Sequence, residues 1–336
     1  MKPFAYNVLR QLSDGEFHSG AMLARAAGVS RASVWNAVQA LEAAGVDVFS
    51  VRGRGYRLAQ PLAMLDAARI TQVLGEAAPF MLEVVDETDS TNTLLLERVR
   101  ASVPVPVVPH ASVIAAEWQR AGRGRMNRPW HAQVGGALTF SLLWRFSQGA
   151  ATLAGLSLAV GLAVVRALEA FGVREAGLKW PNDVLWRGRK IAGMLIEMHG
   201  DALGPSAVVI GVGINVRLSS AVHTRIDQAA GDIESIIGQP VDRNLLLAAL
   251  LGEFNRVLLQ FERAGFQPFR DDWQRRHVHQ GCQVQLTLHG GVRETGVACG
   301  VGADGALLLE TARGVRPFHS GDVSLREINR SAGRAS

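Results

Sequence analysis

Gly177-Leu-Lys-Trp-Pro-Asn-Asp183, continued by Val184-Leu-Trp186, Arg187-Gly-Arg-Lys190 and Ile191-Ala-Gly-Met-Leu-Ile-Glu197, reads as strand, turn, strand, hairpin turn, strand. Short apolar runs are bounded here by Pro, Asn-Asp and Arg-Gly, the residue types that make turns. A lysine beside an Asn-Asp pair can hold phosphates and a divalent cation. Downstream, Val208-Val-Ile-Gly-Val-Gly-Ile-Asn215 is an apolar strand ending on an amide. As a bare pattern it is a buried strand, and its Gly-x-Gly is weak evidence for a nucleotide. Between about residues 65 and 270 such strands alternate with helical segments, which implies an α/β core.

Two further segments lie upstream. Gln119-Arg-Ala-Gly-Arg-Gly-Arg-Met-Asn-Arg-Pro-Trp130 interleaves glycine with arginine. Glycine lets backbone N–H groups approach a ligand closely, and arginine neutralises phosphate. Trp130 is then available to stack on a purine. The loop lacks the Walker lysine and the following Ser/Thr, so a P-loop fits poorly. Out of context such a loop binds nucleic acid or is a solvated turn. Asp89-Ser-Thr-Asn92 precedes a helical pattern over Thr93–Arg100. Its small hydroxyl and amide groups either cap that helix or hydrogen-bond a polar ligand head.

Residues 1 to about 60 have a different character. Ser19–Ala27 reads as a short helix, Gly28-Val29 as a turn, and Ser30 or Ser33 as the cap of a helix running to about Ala44. That helix puts Val34, Ala37, Val38 and Leu41 on one face and Arg31, Ser33, Asn36 and Gln39 on another. The polar set is the kind that reads phosphates and base edges. Strands at Val46–Val51 and Tyr56–Leu58 follow, joined by Arg52-Gly-Arg-Gly55. Helix, turn, helix and a basic hairpin is the winged helix-turn-helix order. Residues 1–60 hold seven Lys/Arg against four Asp/Glu, a surplus of three positive charges. Ser30, Arg31, Ser33, Asn36, Gln39, Arg52 and Arg54 are the candidate DNA contacts. The alternative is a protein-interaction module with a solvated polar face.

The C-terminal stretch, about 278 to 327, is glycine-punctuated, with strands expected at Gln283–Leu288, Gly296–Gly300, Ala306–Glu310 and Val323–Arg326. This spacing implies a small β-barrel. The expected class is therefore α+β, with a winged helix-turn-helix over 1–62, a central α/β domain over 63–275 and a C-terminal domain over 276–330. Of 336 residues, 48% are hydrophobic and 19% charged, which excludes a disordered chain and allows a sizeable core. The formal net charge of +5 favours an anionic partner without choosing one. Cys282 and Cys299 fit neither a metal-ligand spacing nor a disulfide framework. No signal peptide and no bilayer-length apolar run is evident, so a soluble, cytoplasmic protein with no membrane partner is expected. Val103–Pro109 reads as a rigid proline-rich loop, and His277 and His279 as surface side chains.

Taken together and in this order, the segments resemble the biotin–protein ligase family. Gly122-Arg-Gly-Arg125 with Arg128 and Trp130 is similar to its adenylate loop, and Lys179-Trp-Pro-Asn-Asp183 to its second signature. Lys190-Ile-Ala-Gly193 and Gly211-Val-Gly-Ile-Asn215 follow in matching places. Glu16-Phe-His-Ser-Gly20, Gly45-Val-Asp-Val-Phe49, Ala306–Glu310 and Gly321–Leu325 resemble the bifunctional ligase–repressor type. The resemblance implies that Ser90, Thr91, Asn92 and Gln119 line a biotin ureido pocket. It implies that Arg123, Gly124 and Arg125 close over biotin and its adenylate, and that Lys190 meets the biotin carboxylate. Lys179 and Asn182 would touch ATP phosphates, Asp183 would face Mg2+, and Arg128, Trp130 and Asn215 would lie by the adenosine. Lys190, Arg125, Lys179 and Asp183 form the expected catalytic set.

The implied reaction joins biotin to ATP as biotinyl-5′-AMP and then transfers biotin to a lysine of the biotin carboxyl carrier protein domain of acetyl-CoA carboxylase. Arg123, Arg125, Lys179 and Lys190 would supply the positive field that lets two anions meet. The resemblance also implies operator DNA as a partner, the adenylate as corepressor of biotin-synthesis genes, and a homodimer formed on adenylate binding. Two departures stand out. Asn127 occupies the loop's third glycine position, where asparagine tolerates left-handed φ. Arg217–Gly238 lacks the tryptophan that some ligase–repressors fold over the adenylate. The competing readings are a lipoate or octanoate ligase, whose Arg-Arg-x-Ser-Gly-Gly segment is missing, and a biotin-sensing regulator without ligase activity.

Overall fold

Two serines and a glycine organise the N-terminal helices. Ser19 Oγ accepts from Met22 N at 3.1 Å and starts helix α2 (Gly20–Ala27), which ends on left-handed Gly28. Ser30, not Ser33, caps helix α3 (Arg31–Ala43), accepting from Ser33 N at 3.1 Å. With helix α1 (Pro3–Leu12) they bury Leu9, Leu12, Leu23, Val34, Val38 and Leu41 in one small core. Strands β1 (Val48–Val51) and β2 (Gly55–Leu58) pair antiparallel as the wing.

The computed structural model describes residues 1–75, 77–101, 108–200, 205–288, 291–319 and 324–327. Most of the proline-rich loop, together with Gly321–Val323 and the last residues of the expected C-terminal domain, lies outside them.

The centre is a seven-stranded mixed sheet. In chain order its strands are β3 (Met81–Thr88), β4 (Ser112–Gln119), β5 (Ala137–Phe146), β6 (Ala176–Lys179), β7 (Asp183–Trp186), β8 (Arg189–Gly200) and β9 (Ser206–Asn215). The order across the sheet is β3-β4-β5-β9-β8-β7-β6, with β3 and β4 parallel and every other pair antiparallel. Helices α4 (Ala67–Leu74) and α5 (Thr91–Ala101) flank the first strands, and α6 (Leu156–Ala170) follows β5. Beyond β9 come α7 (Ser220–His223), α8 (Ile233–Ile237), α9 (Arg243–Ala264) and α10 (Arg270–Arg275).

The side-chain period of two gives the sheet unlike faces. Leu138, Phe140, Leu142 and Trp144 of β5 join Val208, Ile210, Val212 and Ile214 of β9 in the core that holds α6 and α9. The opposite face carries Leu143 and Val209 under Leu95, Leu96 and Val99 of α5. Moving along it, cross-strand partners become small or polar: Ser141 opposite Gly211, then Thr139 opposite Gly213, with Gly213 opposite Gly193. Helix α5 covers one part of this face, and the glycine part stays open.

Among the described residues the C-terminal SH3-like unit has five antiparallel strands rather than the four expected. They are β10 (Gln283–Thr287), β11 (Arg293–Val301), β12 (Leu307–Thr311), β13 (Gly314–Phe318) and β14 (Ser324–Glu327), ordered β13-β12-β11-β10-β14. Strand β13 is the addition. The inner residues of the unit, Val284, Leu286, Leu307, Leu309 and Phe318, belong to the same apolar core as the central sheet. Trp180 is a clamp between the two units: it is 1% exposed and its Nε1 donates to Gly305 O at 3.1 Å.

His277 and His279 are not surface side chains. They are 5% and 6% exposed and sit beside β6, where Leu178 N donates to Arg276 O and Val278 N to Leu178 O. Burial holds both imidazoles down to about 4, His279 adding repulsion on His277 and Lys179 on His279. Packing between two units, invisible to local pattern, decides their burial.

The link from the wing to the sheet is pinned by a buried ionic knot. Arg243 Nη2 donates to Glu117 Oε2 at 2.7 Å and to Ala63 O at 3.0 Å, and Glu117 accepts from Leu65 N. Asn244 takes the neighbouring groups, accepting from Asp66 N at 2.7 Å and donating to Met64 O at 3.0 Å. Four consecutive linker residues thus have main-chain groups satisfied by three side chains. No helix among the described residues is long and apolar enough to cross a membrane.

Candidate functional site

A cavity of about 570 Å³ opens over the glycine part of the sheet, and every residue expected at the ligand site lines it. The flat floor is built by absence of side chains. A Cβ on Gly211 would lie 2.1 Å from Asn92 Oδ1, and one on Gly213 would lie 2.5 Å from Trp130 Cε2. Glycine at these positions therefore lets Asn92 and the Trp130 ring lie directly on β9.

One end of the cavity is a neutral hydrogen-bonding pocket. Ser90, Thr91 and Asn92, at the start of α5, are 4%, 3% and 3% exposed. Gln119 Oε1, at the end of β4, accepts from Thr91 N at 2.7 Å and Thr91 Oγ1 at 3.1 Å. Ser141 Oγ lies 2.7 Å from Thr91 Oγ1 and 2.5 Å from Asn92 Oδ1. Asn92 Nδ2 donates to Glu197 Oε2 at 2.9 Å and Leu195 O at 3.2 Å. This is a rigid set of donors and acceptors suited to a compact polar head group.

The glycine–arginine loop forms the wall. Trp130 N donates to Gly122 O at 2.8 Å and Gly124 N to Arg128 O at 2.7 Å, closing a small hairpin. Its tip, Arg125–Asn127, places Met126 at φ 55° and Asn127 at φ 54°. Asn127 thus has the left-handed backbone that its sequence position calls for, while Met126 bears that conformation without glycine's freedom.

At the other end the polar side chains are charged. Lys190 Nζ is 2.7 Å from Asp183 Oδ1 and 5.7 Å from the centroid of the Trp130 ring. Beside the neutral pocket, Arg123 Nη2 is 3.0 Å from Glu197 Oε2, the oxygen that also accepts from Asn92. Two of the four cations expected to supply a positive field are therefore already paired with carboxylates. Arg125 reaches Asn182 Oδ1 at 3.3 Å, and Asn182 Nδ2 donates to Met194 O at 2.8 Å. Asn215 is 4% exposed and donates to Lys190 O and Gly231 O, so it ties the segment after β9 to β8. Arg225, Ile226, Asp227 and Gln228 from that segment line the cavity, in the stretch that carries no tryptophan. Among the described residues no group of three or more His, Cys, Asp or Glu is placed to hold a metal ion.

Three stretches match family models: residues 5–57 an HTH domain, residues 84–215 the biotin/lipoate A/B protein ligase family, and residues 279–326 the biotin protein ligase C terminal domain. Over 315 residues the chain is 36% identical to the bifunctional ligase/repressor BirA of Salmonella typhimurium, spanning 94% of this chain and 95% of that protein. The chain belongs to this ligase/repressor family. Its Escherichia coli member is 35% identical over 95% of this chain and 96% of its own length. A solved structure of the Aquifex aeolicus biotin protein ligase in complex with biotin and ATP superposes with a TM-score of 0.62. It is 30% identical and covers 74% of this chain and 99% of its own.

The helix-turn-helix of this family member presents Arg31, Asn36 and Gln39 on the exposed side of α3, with exposed Trp35 between them. Gln39 Nε2 donates to Glu42 Oε2 at 2.7 Å, and the Ser33 and Ser30 hydroxyls pair at 3.0 Å. On the wing Arg52 is exposed, and the Arg54 guanidinium stacks 4.1 Å from the centroid of Phe17. Sequence reasoning missed Ser141, Glu197, Arg225–Gln228 and Trp35. For Ser141 a signal existed: with Thr139 it is one of two hydroxyls, two residues apart, inside an otherwise largely apolar strand.

Proposed function

We propose that this chain is an ATP-dependent biotin–protein ligase that forms biotinyl-5′-AMP and passes biotin to a lysine of the biotin carboxyl carrier protein domain of acetyl-CoA carboxylase. We propose further that it represses biotin-synthesis genes from operator DNA with the adenylate as corepressor. The observation that carries the reading is one continuous cavity with a neutral hydrogen-bonding pocket at one end and a cluster of basic side chains at the other. Ser90, Thr91, Asn92 and Gln119 hold the ureido head. Arg123, Gly124 and Arg125 close over the chain and the adenylate, and Lys190 meets the carboxylate. Lys179 and Asn182 face the phosphates, and Arg128, Trp130 and Asn215 lie by the adenosine.

In the first step a carboxylate oxygen attacks the α-phosphorus and the bond to pyrophosphate breaks. The opposing negative charges are offset by Lys190, Arg125 and Lys179 in a partly enclosed site. In the second step a neutral carrier lysine attacks the acyl carbon, AMP leaves, and the amine gives up a proton. No protein nucleophile is needed, and neither cysteine lies in the cavity. Magnesium enters with ATP as part of the substrate. Asp183 is the carboxylate proposed to face it, although a single carboxylate already paired with Lys190 does not make a resident metal site.

Residues 1–62, 63–275 and 276–330 are the proposed domains. Arg31, Asn36, Gln39, Arg52 and Arg54, with Ser30 and Ser33 at the helix start, form the proposed DNA surface of a cytoplasmic protein that dimerises on adenylate binding. Incubation with MgATP, biotin and a purified carrier domain tests the ligase. A mass gain of one biotinyl group on the carrier is expected, and an unchanged carrier mass would contradict it.

A further inference from the structure

Glu197 stands on β8 with its carboxylate between two residues of the proposed biotin site. Its Oε2 accepts from Asn92 Nδ2 at 2.9 Å and from Arg123 Nη2 at 3.0 Å, and its Oε1 lies 3.2 Å from the same Arg123 nitrogen. Asn92 belongs to the neutral pocket and Arg123 to the glycine–arginine loop, which are separated by β4 in the chain. Glu197 is thus a side chain that holds both at once.

The pairing has two consequences. Arg123 does not act as a spare cation for the phosphates, because its charge is matched by a half-buried carboxylate. Its orientation is fixed instead, and with Nη2 engaged, Arg123 Nε is left buried and without a hydrogen-bond partner. A buried orphan donor beside a cavity is costly unless something accepts from it. The cavity includes both Arg123 and Asn92 in its lining. The other side of Asn92 is fixed by Ser141 at 2.5 Å, so the amide orientation is set from both ends.

We infer that Glu197 is a positioning residue for the carboxylic-acid substrate: it fixes the Asn92 amide and locks the Arg123 end of the loop against the pocket that takes the acid. This rests on the ligase reading above. It separates the loop into an anchored start at Arg123 and a tip at Arg125–Asn127 that handles the adenylate.

The test is ATP–pyrophosphate exchange by full-length E197A and E197Q, with KM for biotin and for ATP measured separately and melting temperature recorded. E197A is expected to raise the biotin KM by about tenfold or more while the ATP KM moves by less than about threefold. E197Q keeps one oxygen to accept from Asn92 and Arg123 but sets an amide donor against Arg123, so its biotin KM is expected between wild type and E197A. If E197A does not fold, a raised biotin KM in E197Q with unchanged ATP KM carries the same expectation. A biotin KM within about twofold of wild type in both variants, or equal rises in both KM values, overturns the inference and leaves the ligase reading standing. No biotin-dependent exchange by wild type would remove the ligase reading and this inference with it.

Discussion

Lys190 Nζ stands 2.7 Å from Asp183 Oδ1, with the two side chains only 17% and 15% exposed. The lysine proposed to meet the substrate carboxylate is thus held in place by an acid on the neighbouring strand. Removing the lysine leaves that acid unpaired in a site that must admit two anions. Lys190→Ala is expected to slow single-turnover adenylate formation by on the order of 10²- to 10³-fold. Near-normal formation would contradict its role. The double variant K190A/D183N discriminates the roles of Asp183. If the acid serves only to hold Lys190, the double variant is no slower than K190A; if it also faces magnesium, it is slower still.

The strand glycines predict a division of labour. Gly211→Ala drives a methyl into Asn92, and Gly213→Ala drives one into the Trp130 ring. The first is expected to weaken biotin binding by about tenfold or more, and the second to raise the ATP KM by a similar factor with a smaller effect on biotin. Isothermal titration with biotin and exchange kinetics over ATP concentration separate the two.

Buried histidines give the stability a pH dependence of known sign. Folded His277 and His279 have their pKa held down to about 4 by burial, against an ordinary value of 6.5. The unfolded chain therefore binds protons first as pH falls. Their contribution is complete above pH 6.5 and is lost progressively down to about 4. The urea midpoint is expected to drop between pH 6.5 and 5.5, above the main carboxylate range. Replacing both histidines with phenylalanine is expected to flatten that drop, and an unchanged slope would contradict the assignment.

The knot at the wing linker predicts a stability effect. Arg243 and Glu117 side chains are 2% and 1% exposed. Arg243→Ala strands a buried carboxylate and is expected to cost about 3–5 kcal/mol in urea unfolding. A cost below about 1 kcal/mol would mean that water reaches Glu117, as it does in surface pairs.

The winged helix and the turns of the cavity were legible as local elements, because each sits in a short segment whose chemistry is local, and the family resemblance joined those turns into one site. Lys179–Asp183, Gly122–Trp130 and Asp89–Asn92 are turns or helix starts, and turns carry their own residue code. Glu197 was not legible: it is one acid at the end of an apolar strand, and its partners lie 74 and 105 residues away. Arg243 and Glu117, 126 residues apart, escaped for the same reason. Strand β13 was missed because its exposed Val315 and Pro317 flank a half-buried Arg316, which gives no clear apolar alternation. The assignment of His277 and His279 to the surface failed because polar residues are read as exposed unless a tertiary contact says otherwise.

The central claim is that this cavity activates biotin as an acyl-adenylate. ATP–pyrophosphate exchange by the purified chain with MgATP and biotin, lipoate, octanoate or no acid tests it directly. Exchange that requires biotin is the predicted result. Exchange driven by lipoate or octanoate in place of biotin, or no exchange with any acid by folded protein, would contradict it.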